Sequence, residues 1–177
     1  MAPFYKVWAI AATALLLAPT RATDVFLYDE EACGTQGGSC RNQPAGKCCF
    51  GMDLYQSCEA INPRQRIVAY ARQSGELCGA VVGRSDFCFS DGGLGTISGC
   101  IWMTSGTKRD ADAELEEKGA SNDTAGCQAV THFFRRYGSE VLFLPFDSDE
   151  YLHYSNMRAS PMKDDYLYRH AEIVRDI

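Results

Sequence analysis

Two stretches decide the fold: DVFLYDEEACG at residues 24–34 and RIVAYARQSGELCG at 66–79. Each runs from an aliphatic and aromatic strand into a tyrosine (Tyr28, Tyr70), then a polar turn, then a Cys-Gly pair (Cys33-Gly34, Cys78-Gly79). Each is answered downstream by a serine followed closely by a cysteine and apolar residues, in YQSCEAI at 55–61 and TISGCIW at 96–102. The chain therefore reads as two copies of one short β pattern, and such a repeat speaks to fold before function. Around Arg66–Tyr70 the alternation is clean, with Ile67 and Ala69 on one face and Val68 and Tyr70 on the other. Further strands are expected at Val25–Tyr28, Lys47–Phe50, Leu77–Val82, Phe87–Phe89 and Ile97–Met103, with Gly34–Gly38 as a turn and the Gly-rich Asp91–Gly95 as a loop.

Upstream of the repeat, residues 1–22 have the layout of a secretory signal. Lys6 precedes an apolar run from Val7 to Ala18, and Thr20 and Ala22 suit cleavage before Thr23. The run of about twelve residues falls short of the ~20 that cross a bilayer, and no later segment is apolar enough to span. The reading is therefore a secreted, extracellular chain with no transmembrane segment.

Export changes the meaning of the cysteines. All nine lie beyond residue 22: Cys33, Cys40, Cys48, Cys49, Cys58, Cys78, Cys88, Cys100 and Cys127. In an oxidising compartment that density implies disulfides. A zinc site is disfavoured, because there is no Cys-x-x-Cys and no histidine among the first eight cysteines. An odd number leaves at least one thiol free, capped, or bonded to a second chain as a covalent dimer. Neighbouring Cys48 and Cys49 are expected to reach different partners. A β domain of only about eighty residues buries limited apolar area, so such bridges, at about 2–4 kcal/mol each, would supply much of its stability.

The expected organisation is a signal at 1–22, a cysteine-rich β-sandwich at 23–103, a polar linker at 104–126 and a C-terminal hairpin and tail at 127–177. The linker has no aromatic residue and Leu115 as its only large aliphatic. It carries a glycosylation sequon at Asn122 and a dibasic pair, Lys108-Arg109, of the kind cut during secretion. In the tail, Ala129–Tyr137 and Val141–Phe146 read as a hairpin around Gly138-Ser139, joining the main sheet with Cys127 tying it down. Beyond it a helix is expected near Met162–Ile177, in a partly disordered end. The net charge is −6 with no basic run, which argues against nucleic acid and anionic membranes as partners.

The repeat resembles the βγ-crystallin fold as used by small secreted fungal and killer-toxin-like proteins, over residues 24–103. The resemblance implies an all-β Greek-key sandwich of two motifs, here disulfide-stabilised. It implies that Tyr28 and Tyr70 pack over folded-back hairpins, and that Ser57 and Ser98 hydrogen-bond back to hold those hairpins down. It also implies a glycine of positive φ in each hairpin, for which Gly34 and Gly79 are the candidates. Many relatives of that kind bind calcium through paired Asp/Asn residues; the stretches Asp53–Cys58 and Gly93–Ser98 lack that pairing, so no metal or other cofactor is expected, with Asp53 and Asp91 the first places to look.

No catalytic set is visible. The histidines, His132, His153 and His170, all lie in the tail, and the cysteines are committed to bridges. Acids such as Asp29, Glu30, Glu31, Glu76, Asp86 and Asp91 could serve a small hydrolase only if two of them faced each other across a cleft. The run from Cys33 to Cys40 followed by Lys47-Cys48-Cys49 is similar to the front of hevein-type chitin-binding modules, with Phe50 and Tyr55 as its only aromatics nearby. The leading expectation is a non-enzymatic, effector-like or toxin-like protein acting on an extracellular protein or cell-surface glycan, with chitin binding as the alternative.

Overall fold

The computed structural model describes residues 22–61, 65–104, 127–158 and 160–175. Of the expected signal at 1–22 all but Ala22, and of the expected linker at 104–126 all but Thr104, lie outside the described residues, and with them Lys108-Arg109 and Asn122.

Because successive side chains on a strand point to opposite faces, Val-Phe-Leu-Tyr at 25–28 must be covered on both sides. It is: strand β1 (Ala22–Tyr28) turns Val25 and Leu27 into the space between two sheets, and Phe26 and Tyr28 toward a second apolar cluster. Eleven further strands follow in the order β2 (Gln36–Pro44), β3 (Cys48–Tyr55), β4 (Ser57–Ala60), β5 (Gln65–Gln73), β6 (Glu76–Ser85), β7 (Cys88–Ser90), β8 (Ile97–Thr104), β9 (Cys127–Ala129), β10 (His132–Tyr137), β11 (Glu140–Pro145) and β12 (Glu172–Arg175). Helices α1 (Asp149–Asn156) and α2 (Ser160–His170) stand between the last two strands. The chain is an all-β sandwich stabilised by disulfides.

One sheet has the order β12-β11-β10-β2-β1-β4-β7 and the other β6-β5-β8-β3-β9. Strands β1 to β4 form the first motif and β5 to β8 the second. Each motif keeps three strands in its own sheet and gives its third, β3 or β7, to the sheet of the other. The inner core between the sheets holds Val25, Leu27, Tyr55, Ile67, Ala69, Ile97 and Trp102 together with four buried cysteines. Trp102 is fully buried and its indole N–H donates to the Gln43 carbonyl at 2.7 Å, which satisfies the ring's one polar atom. Val68 and Tyr70 face the opposite side of their sheet, as the alternation requires.

The C-terminal hairpin extends the first sheet. β10 pairs with β2 and β11 with β10, and Gly138 at φ +60° makes the turn between them. One face of the hairpin carries Phe134, Val141 and Phe143 into the cluster around Phe26 and Tyr28. The other carries Phe133, Leu142 and Leu144 against Tyr154 of α1 and Leu167 of α2. The expected terminal helix ends earlier, at His170, and the residues after it form β12, paired antiparallel to β11. The described part of the tail is ordered, because a hairpin apolar on both faces needs the two helices as a cover.

Candidate functional site

The repeat is most visible in how the two β-hairpins are pinned. In the first motif, the Ser57 hydroxyl accepts from the Cys33 N–H at 2.9 Å and donates to the Glu30 carbonyl at 2.6 Å. In the second, the Ser98 hydroxyl lies against the carbonyls of Leu77 and of Tyr70, the latter at 3.2 Å. A disulfide backs each serine. Cys33 of the first hairpin bonds Cys88 on β7, and Cys78 of the second bonds Cys48 on β3. Each hairpin is thus bridged to the strand that the other motif has lent to its sheet. Cys48 and Cys78 sit on strands separated by two others in the sheet, which would be about 14 Å apart if the sheet were flat. Their Cα atoms are 6.7 Å apart, so the start of β6 folds back over the sheet.

A third bridge, Cys58 to Cys100, joins β4 of one sheet to β8 of the other through the inner core. The fourth, Cys40 to Cys49, has no counterpart in the second motif. Cys48 and Cys49 point to opposite faces of β3 and so take different partners. Cys127 is the cysteine without a bridge; β9 is held by parallel pairing to β3, not by the covalent tie expected at this position.

The expected roles of Gly34 and Gly79 are corrected. Neither has positive φ; the left-handed positions are Ala32 and Cys33 in the first hairpin and Ser74 and Gly75 in the second. The two glycines instead permit close approach. A Cβ on Gly79 would stand 2.6 Å from the Gln73 Cβ and 2.8 Å from its backbone nitrogen, and one on Gly34 would run into the Glu30 side chain.

Folding the hairpins back brings three loops to one end of the sandwich. The Gln56 N–H donates to the Tyr28 carbonyl and the Asp91 N–H to the Gln56 carbonyl, so the loop after β1, the corner between β3 and β4 and the loop after β7 are linked in series. Exposed Asp29, Glu30, Glu31 and Asp53 gather here with Met52, Leu54 and Leu94, whose side chains are 75%, 55% and 75% exposed. Arg72, at the end of β5, donates to the Met52 carbonyl at 3.1 Å. Partial desolvation within this crowded end, then the charges of Asp53 and Glu30, push the Asp29 carboxyl up. Asp91 goes the other way. Burial would raise it, but hydrogen bonds from the Thr96 N–H and hydroxyl and from the Leu94 N–H hold it down. Both Asp91 oxygens are therefore occupied in closing their own loop, and Asp53 lies near another acid, Asp29.

The remaining candidates disperse. His132 on β10 hydrogen-bonds the Thr131 hydroxyl at 2.8 Å, and burial followed by the nearby Arg41 charge lowers its pKa. His153 and His170 pack on the Tyr166 ring. Tyr55, one of the two rings in the chitin-binding comparison, is 4% exposed and belongs to the inner core, while Phe50 packs beside Cys48 and Tyr70. Asp86 pairs with Arg66 at 3.5 Å, in a shallow cavity of about 310 Å³ that Arg84 and Ser85 also line.

One cluster has no forerunner in the sequence reading. Glu59 of β4 accepts from the Tyr28 hydroxyl and from Arg136 of β10, the latter at 2.5 Å, and the Arg136 guanidinium lies 5.7 Å and 5.8 Å over the rings of Phe26 and Tyr28. Burial, then Glu59, raises the Tyr28 hydroxyl well above its ordinary value, so it stays protonated as a donor. This trio fastens the C-terminal hairpin to the first motif. The only hint in the sequence is a charged residue immediately after a buried cysteine.

No curated protein and no solved structure matches this chain. A protein-family model does: ARB_05566_N, an N-terminal domain, covers residues 24–132. That span includes both motifs, all nine cysteines and the three-loop end, and stops at the first residue of β10. The chain belongs to the ARB_05566_N family.

Proposed function

We propose that this is a secreted, non-enzymatic interaction protein of βγ-crystallin-like architecture, acting through its three-loop end on an extracellular protein or cell surface in the manner of an effector or toxin. The observation that carries the reading is the set of large apolar side chains held out to solvent at one end of the disulfide-braced sandwich, Met52 and Leu54 near the end of β3 and Leu94 on the loop after β7. Exposed apolar groups mark contact surfaces where they gather in one patch, not where they stand singly. The surrounding carboxylates favour a partner with a basic rim. The exchanged third strands and the two serine clamps support the crystallin-like part, and four disulfides suit a protein that works outside the cell. Burial of Tyr55 favours this reading over the chitin-binding alternative, which needs a flat row of exposed rings.

The test uses the exported, deglycosylated protein and a variant with Met52, Leu54 and Leu94 each changed to Ser. The native protein is expected to bind susceptible cells or inhibit their growth, the variant to lose that effect while melting at the same temperature, and neither to be retained on insoluble chitin. Retention on chitin competed by chito-oligosaccharides, or full activity in the variant, refutes the proposal. Mass measurement of the same product reports removal of 1–22, occupancy of Asn122 and cleavage at Lys108-Arg109.

A further inference from the structure

The two hairpin bridges are equivalent in the repeat but not in their surroundings. Parallel pairing of β9 with β3 sets Cys127 beside Cys48. The sulfurs of Cys48, Cys78 and Cys127 all lie within 4.8 Å of one another. Gly99 of β8 makes room for them, since a Cβ there would stand 2.6 Å from the Cys78 sulfur and 3.0 Å from that of Cys48. Val68, Tyr70 and Ile101 enclose the group, with Phe50 and Met103 at its margin. Cys33–Cys88, the matching bridge of the first motif, has no third thiol.

We propose that Cys48, Cys78 and Cys127 form a disulfide-exchange unit, in which the Cys127 thiol takes over one partner of the Cys48–Cys78 bond. Attack of the Cys127 thiolate on the Cys48 sulfur makes a Cys48–Cys127 bond as the Cys48–Cys78 bond breaks. The electron pair leaves on the Cys78 sulfur, which takes up a proton in place of the one Cys127 released. Attack on the Cys78 sulfur gives Cys78–Cys127 and frees Cys48 in the same way. One disulfide and one thiol are present before and after, so no oxidant or reductant is consumed. Exchange has a structural readout. The observed bridge pins the folded second hairpin to β3, whereas the Cys48–Cys127 bridge frees that hairpin and ties down β9, the strand that leads through Val130 and Thr131 to the first sheet. Burial pushes the Cys127 thiol up and the Lys47 charge draws it back, so exchange is expected to be slow.

The test needs only the full-length oxidised protein. It is held at about pH 8.5, near the ordinary thiol pKa, for increasing times, quenched with acid, alkylated and mapped by peptide mass spectrometry. One label per chain is expected throughout, starting on Cys127 and spreading to Cys78 or Cys48 over hours, with Cys33 and Cys88 never labelled. A Cys127→Ser variant should carry no label at any cysteine. Label confined to Cys127 at every time overturns the proposal. So does labelling of all three thiols in one chain, which would mean a reduced cluster, and so does absence of label with a doubled non-reduced mass, which would mean that Cys127 links two chains.

Discussion

Removing the serine hydroxyls tests the repeat directly, because the two clamps differ in a way that sets the order of the effects. Ser98 is wholly buried and faces the carbonyls of Leu77 and Tyr70, the latter residue itself buried. In Ser98→Ala the one hydroxyl proton that the two carbonyls share is lost beside the buried Tyr70 carbonyl, which costs about 2 kcal/mol. Ser57 is also buried, but it serves Cys33 and Glu30 on an exposed loop where water can replace the lost bonds. Ser57→Ala should therefore cost about 1 kcal/mol. At roughly 2–4 °C per kcal/mol for a chain of this size, melting should fall by about 4–8 °C for Ser98→Ala and about 2–4 °C for Ser57→Ala. The clamps share no partner, so the double variant should show the sum within about 0.5 kcal/mol. The assay is guanidinium unfolding without reductant, with a constant slope confirming that only stability has changed. A Ser98→Ala protein within about 0.5 kcal/mol of the parent, or a larger loss for Ser57→Ala, would refute the reasoning.

Arg136→Gln leaves the Glu59 carboxylate with Tyr28 alone; it should destabilise by about 1–2 kcal/mol and raise hydrogen exchange first in β10 and β11. Loop entropy predicts that replacing Cys58 and Cys100, 42 residues apart, by Ala costs about 4 kcal/mol. The same change at Cys40 and Cys49, nine residues apart, should cost about 2.5 kcal/mol, and denaturant midpoints would show the order. The folded state lowers the Asp91 pKa, so this carboxylate stabilises fully above its unfolded value of about 3.9 and loses that contribution as pH falls through it toward the lower folded value. The stability lead of the parent over Asp91→Asn should accordingly shrink below about pH 4. Asp29 has the opposite sign, since its folded pKa is raised and its charge is unfavourable at neutral pH. Asp29→Asn should be slightly more stable than the parent at pH 7, by no more than about 0.5 kcal/mol, with the gain fading on acidification.

Strand alternation makes the second motif legible in the sequence. Ile67 and Ala69 do face one way and Val68 and Tyr70 the other, and Leu142 with Leu144 and Val141 with Phe143 divide between two clusters as their spacing implies. What stayed hidden has non-local causes. The β2 stretch Gln36–Pro44 has no apolar pattern because Ser39, Gln43 and two glycines share its buried positions with Cys40, on a strand covered by its pairing with β1 and β10. β9 is three residues long and exists only by pairing with β3. The terminal β12 continues a charged stretch, and its pairing with β11 overrides the helical bias of the residues before it. The candidate site fared similarly. The cysteines and serines announced themselves by repetition, whereas the Glu59–Arg136 pair and the three-sulfur group join residues 77 and up to 79 positions apart.

The lending of β3 and β7 between motifs bears on what a protease could achieve. Three of the four bridges, Cys33–Cys88, Cys48–Cys78 and Cys58–Cys100, run from one half of the repeat to the other. A cut in the stretch joining β4 to β5 would leave two fragments, each still threaded through the other's sheet and fastened at three points. Such a nicked molecule would migrate as one piece until its sulfurs were reduced, so a single digestive event in a hostile medium would not dismantle it.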